Sequence, residues 1–168
     1  MPSAKSLKQI YARWITPNNF KQYGQAIYAV NDGKPYDATD AALVLNLGTP
    51  RFYIMRLHYR GRKFSQMTRH LQCTQCLGSL AGKPGLIAVA PPSAAPHLLV
   101  SEIAAFQIPG DCFIKLEQGT WHAGPYFDSQ FIDFYNLELS DTNISDRDTY
   151  NFKAGNNLLE LEIVSLLR

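Results

Sequence analysis

Charge is scarce in this chain. Only 18% of its 168 residues are Asp, Glu, Lys or Arg, and the formal net charge is +2, a balance that singles out neither a nucleic acid nor a membrane surface as partner. Long apolar runs are missing too. The opening MPSAKSLKQIYARW holds no stretch of signal-peptide length, and runs such as residues 86–91 are far too short to cross a bilayer. A soluble, cytoplasmic protein is expected. Cysteine is limited to three, an odd number that fits a reducing compartment better than a disulfide framework. The sequon Asn143-Ile144-Ser145 therefore carries no expectation of a glycan. What the chain does have is 46% hydrophobic and 12% aromatic residues, enough to bury a substantial core in one domain over residues 1–168.

Helical spacing of apolar residues is rare, and short β patterns separated by turn residues are common, which predicts an all-β domain. Strands are expected at 26–30, 42–45, 52–59, 64–70, 74–80, 86–90, 103–108, 112–117 and 131–137. Asn18 and Asn19 suit the start of a short helix over 20–23, and Gly24 suits its stop. Asp32-Gly33 and Gly110-Asp111 are turn signals, and residues 91–96, PPSAAP, read as a stiff exposed connection. The tail at 158–167 is apolar enough for a final strand or a packed helix, and its type stays open.

Alternate residues of a strand share a face, so Gln66, Thr68 and His70 point the same way. If that face looks inward, one end of the interior is polar, which suits a ligand cavity. The plain alternative is a hydrogen-bonded structural histidine at 70.

Two stretches carry a resemblance. The first runs Gly61, Thr68, His70, Gln75, Gly82, and the second ends Gly119-Thr120-Trp121-His122. In spacing they resemble the paired motifs of the cupin superfamily, with Thr68 where a histidine and Gln75 where a glutamate usually stand. The resemblance implies a cupin-type antiparallel β-barrel, or jelly roll, with one or two short helices. In metal-dependent cupins these motif positions hold a divalent ion such as nickel, manganese or iron. Here that would make His70, Gln75 and His122 the ligands, with Glu117 supplying a carboxylate.

Within that superfamily the chain is most similar to the ureidoglycolate lyase family over residues 18–152. Arg69-His70, Gln75, Ala105-Phe106, Trp121-His122 and Asp133-Phe134 carry the likeness. The resemblance implies cleavage of ureidoglycolate to urea and glyoxylate, a small carboxylate as partner, and a homodimer. That chemistry needs a base at the carbinol hydroxyl and an acid at the departing nitrogen, roles that histidine can fill near neutral pH. His122 is the expected base, and His70 orients the hydroxyl or donates to urea. Arginine binds a carboxylate through two parallel donors. Arg69 has the family match but alternates away from His70, which leaves Arg56 and Lys115 as rivals. Gln75 is expected to read the urea amide and Trp121 to stack on the substrate. A non-catalytic small-molecule binder and a metal-dependent cupin acting on another substrate remain the alternative readings.

Other signals weigh less. Cys73, Cys76, His70 and Cys112 make four zinc ligands on paper, but residues three apart on a strand face opposite ways, so buried structural cysteines are expected. The basic run Arg56, Arg60, Arg62, Lys63 is too brief for a nucleic-acid track. Residues 78–83 lack the spacing of a phosphate loop. Asp141, Asp146 and Asp148 lack the pattern of a calcium loop and read as solvated.

Overall fold

Every residue of the segment Gly85–Ala90 is buried, which a strand achieves only when both faces of its sheet are covered. Its alternate side chains enter two different cores. Ile87 and Val89 join Phe106, Ile114, Leu116, Ile132 and Phe134 between two sheets. Leu86, Ala88 and Ala90 join Trp121, Phe152, Leu161 and Ile163 on the other side.

The computed structural model describes residues 6–154 and 157–165. Along the chain the elements are β1 (Ser6–Trp14), α1 (Pro17–Phe20), β2 (Gly24–Tyr28), β3 (Pro50–His58), β4 (Lys63–Phe64), β5 (Gln66–Arg69), β6 (Gln75–Ser79) and β7 (Gly85–Ala90). A 3-10 turn at Val100–Glu102 leads to β8 (Ala104–Ile108), β9 (Cys112–Leu116), β10 (Trp121–Tyr126), β11 (Phe131–Leu139), α2 (Thr142–Ser145), β12 (Asp148–Asn151), β13 (Lys153–Ala154) and β14 (Asn157–Ser165). One sheet runs β12-β5-β10-β7-β8-β1-β14-β13, with β4 beside β14, and the other runs β2-β9-β6-β11-β3. Together they form the all-β barrel of the cupin type. Pairing is mostly antiparallel, but β1 lies parallel to both β14 and β8.

Several expectations are corrected. Residues 42–45 form no strand; they are held as a loop because Val44 bonds the Thr74 backbone and hydroxyl instead of a neighbouring strand. The helix starts earlier, at Pro17, because Thr16 rather than Asn18 or Asn19 caps it: the Thr16 hydroxyl accepts from the Asn19 backbone N–H, and the Asn19 side chain accepts from that of Thr16. The strand expected at 64–70 breaks at Ser65, whose carbonyl bonds Phe152. The tail forms a strand through Ser165, and residues 166–168 lie outside the described residues.

Gly119, at φ +82°, turns the chain between β9 and β10, and its N–H donates to the His70 carbonyl at 2.7 Å. That bond ties the second motif to the end of the first.

Candidate functional site

At one end of the barrel the interior changes from apolar to polar. A cavity of about 470 Å³ opens there between β3, β5, β6, β10 and the segment around α2. Gln66, Thr68 and His70 face it together, as alternation requires. In the register, His122 lies opposite Thr68 and Val89, which places it on the same inner face. Gln75 enters from the facing sheet, beside Leu77. The two motifs thus meet in space, and the His70 and His122 rings lie 5.2 Å apart between centroids.

Hydrogen bonds fix the tautomers of both rings. His70 Nδ1 lies 2.6 Å from the Asp146 carbonyl, and His122 Nδ1 lies 3.2 Å from the Thr120 carbonyl. A carbonyl oxygen only accepts, so each Nδ1 carries the proton and each neutral ring keeps its lone pair on Nε2. Burial above all, with smaller contributions from the neighbouring His70 and the Arg147 charge and against the opposing bond to Thr120, lowers the pKa of His122 to about 4. Asp146 is buried, and its carboxylate accepts from the backbone N–H groups of Leu71 and Gln72, each at 2.8 Å. It is therefore not the solvated loop residue expected but the brace of the turn that follows His70.

The charged residues lining the cavity are Arg60, Lys63 and Arg147, with no carboxylate among them. All three are exposed, whereas His70 and Gln75 are buried deeper in. Such a site attracts a small anion. The basic run splits accordingly. Arg56 pairs with Asp133 at 2.8 Å and Arg62 pairs with Asp128, while Arg60 and Lys63 reach the cavity.

Several expected substrate contacts lie outside the cavity. Arg56 sits on the outer face of β3, with its side chain more than half exposed. Arg69 is buried on the other face of β5, bonds Asp148 at 2.7 Å and the Ser93 carbonyl at 2.6 Å, and stacks 4.4 Å from the centre of the Trp121 ring. Trp121 is fully buried in the core on that side. Lys115 turns away from the interior residues Ile114 and Leu116, is 2% exposed, and gives its ammonium group to Glu117. Cys76 pairs with Lys115 across the strands, and burial first of all raises the Cys76 thiol to about 11. All three cysteines are free and buried.

These placements decide whether the expected ligand set fits a divalent metal. Thr68 spends its hydroxyl on Thr149 at 3.1 Å, and Glu117 is held by Lys115. What remains is two imidazoles and one neutral amide, beneath three cations. Among the described residues no three of His, Cys, Asp and Glu gather into a metal-holding group. The donor set therefore does not fit a divalent cation: it offers two imidazoles and no free carboxylate or thiolate, and the three neighbouring positive charges oppose a fourth cationic centre.

Sequence reasoning missed Arg147 and Asn143, which reach the cavity from α2 and the turn after it. It also missed Glu138, a buried carboxylate behind Gln75 that accepts from Gln75 Nε2 at 3.1 Å, the Tyr53 hydroxyl at 3.2 Å and Asn143 Nδ2 at 3.1 Å. The alternation of β11 gave its only signal: Asn136 and Glu138 share the inward face with Phe134 and Ile132.

Comparison with known proteins gives one family. The model described as ureidoglycolate lyase matches residues 7–157. No curated protein matches the chain. Among the described residues no helix is long and apolar enough to cross a membrane.

Proposed function

Since the chain belongs to the ureidoglycolate lyase family, we propose that it cleaves the carbon–nitrogen bond of ureidoglycolate, or of a closely related small ureido carboxylate, releasing urea and glyoxylate. The observation that carries this reading is a cavity whose charged side chains are all cationic and in which two imidazoles face each other.

In this reading Arg147, with Arg60 and Lys63 at the mouth, holds the substrate carboxylate. His122 Nε2, unprotonated near neutral pH, takes the proton of the carbinol hydroxyl. The carbonyl then forms as the carbon–nitrogen bond breaks, and the departing nitrogen regains a proton. One O–H and one C–N bond are lost, one C=O and one N–H bond are gained, and the protein ends as it began. His70 stands across the hydroxyl, orienting it or donating to the leaving urea. Gln75 contacts the ureido end.

Buried free cysteines support a reducing, cytoplasmic setting. The homodimer implied by the resemblance is supported by β3, an edge strand that turns Phe52 and Ile54 to solvent at 70% and 64% exposure. Light scattering tests that assembly.

The reaction is tested by following urea and glyoxylate together from racemic ureidoglycolate. Equal release of the two products, unchanged by a metal chelator, is expected. Release that requires an added divalent metal overturns the metal-independent mechanism.

A further inference from the structure

The strands that carry the two motifs, β5 and β10, pair at a single position, Thr68 with His122. Beyond it the cavity continues between Ser65 and Gln66 on one side and Gly124, Pro125 and Tyr126 on the other. The open space therefore has two ends. His122 stands opposite Val89 of β7, and Tyr126 stands opposite Leu86. Those positions are roughly 10 Å apart at a rise of about 3.3 Å per residue.

Each end has its own cation. Arg147 belongs to the histidine end, because it follows Asp146, whose carbonyl holds His70, and its charge bears on His122. Arg60 belongs to the other. Its guanidinium lies 4.9 Å from the centre of the Tyr126 ring, and its hydrogen bond to the Pro125 carbonyl is a long 3.4 Å. Lys63 lines the cavity next to Phe64, whose ring stacks on that of Tyr126. Among the described residues neither Arg60 nor Lys63 has an ion-pair partner, whereas Arg56 and Arg62 are paired with Asp133 and Asp128. Glu162, opposite Lys63 in the register, accepts from Gln9 instead.

Tyr126 is 6% exposed, and its hydroxyl bonds no other described residue. The buried polar atoms sealed from solvent without a partner are Gln75 Oε1 and Trp121 Nε1; the Tyr126 hydroxyl is neither, so it keeps an accessible face. Burial raises its pKa against the opposing charge of Arg60, which keeps it a donor near neutral pH. A guanidinium, an ammonium and a phenol around a space that no carboxylate lines make a receptor for an oxyanion.

We propose that Arg60, Lys63 and Tyr126 form a second anion subsite, separate from Arg147, so that the cavity holds ligands with a carboxylate at each end more tightly than ligands with one. The inference rests on reading the cavity as the substrate site and extends it: a carboxylate drawn past the mouth to Arg147 leaves Arg60 and Lys63 free for a second. The volume of about 470 Å³ agrees, falling within the roughly 300–1,000 Å³ of sites for drug-sized ligands.

The test compares adipate, hexanoate and succinate by calorimetry. Adipate and hexanoate share a chain length and differ by one carboxylate, and succinate is too short to span the two ends. Native protein should bind adipate about tenfold more tightly than hexanoate, and more tightly than succinate. Arg60→Gln changes an exposed residue and should remove that advantage, leaving hexanoate unchanged within about twofold. Tyr126→Phe keeps the ring and should weaken adipate severalfold while sparing hexanoate. Arg147→Gln should weaken both. Native protein that binds adipate no more tightly than hexanoate, or binds neither, overturns the inference, and so does an Arg60→Gln variant that weakens both probes equally or neither. An adipate preference that depends on Arg60, in a protein that does not cleave ureidoglycolate, contradicts the lyase reading while supporting this one. Cleavage without an adipate preference overturns this inference alone.

Discussion

His70 and His122 approach to 5.2 Å between ring centroids, and each turns Nδ1 to a backbone carbonyl, that of Asp146 for one and of Thr120 for the other. Neither carbonyl belongs to the residue's own ladder partner. The Asp146 carbonyl comes from the turn after α2, so the orientation of His70 depends on a segment 76 residues away in sequence. Two imidazoles oriented by backbone and open at Nε2 are suited to moving one proton between neighbouring atoms of a small ligand.

The depressed pKa of His122 has a sign that can be checked. Its folded value is lowered to about 4 from 6.5, so between those values the unfolded chain binds a proton that the folded chain refuses. Stability contributed by this group therefore rises with pH across the window and is lost on acidification. In proton NMR the His122 ring should titrate near 4. The thermal midpoint of His122→Gln should fall less between pH 6.5 and 4 than that of the native protein. Titration of the His122 ring near 6.5 contradicts the burial argument.

Arg147 lines the cavity and shares it with no carboxylate. Replacing it with glutamine should raise KM for ureidoglycolate roughly ten- to hundredfold, the range of a lost charge-assisted hydrogen bond. Steady-state kinetics at two salt concentrations checks this, and added salt should narrow the gap.

Arg69 behaves differently if its bonds to Asp148 and Ser93 are its purpose. Arg69→Met should cost about 1–3 kcal/mol in chemical denaturation, toward the lower end because the Asp148 side chain is 40% exposed. KM should stay unchanged. A raised KM with unaltered stability would return Arg69 to the substrate.

A Cβ on Gly110 would come within 1.9 Å of the Gly82 carbonyl oxygen. The turns that follow β6 and precede β9 meet at this point, and backbone cannot yield as a side chain would. Gly110→Ala should destabilise by about 2 kcal/mol or more, measured by urea unfolding, with no change in the activity of the folded fraction.

Much of the barrel was legible because β3, β6, β7, β8, β9 and β11 combine β-forming residues with clear turns. β1 was not: Leu7 and Tyr11 are exposed while Ala12 is buried, so apolar side chains occupy both faces and period-two alternation is blurred. Residues 42–45 erred the other way, their apolar composition imitating a strand while their backbone bonds went to Gln25 and Thr74. At the site, His70, Gln75 and His122 were legible because motif spacing follows strand registers. The cations were not. Arg69 has the family match and Arg56 and Lys115 stand on neighbouring strands, yet each has a structural partner. Arg147 and Asn143 arrive from a short helical segment whose place over the cavity is set by tertiary contacts alone.

The most direct measurement is glyoxylate release from racemic ureidoglycolate by the native protein and by His122→Ala, with folding of both checked by circular dichroism. Release well above the uncatalysed background, falling at least about a hundredfold in the variant, is the predicted result. Native-level release by His122→Ala, or no release by the native protein above background, would contradict the assignment of His122 as the base in a ureidoglycolate-cleaving site.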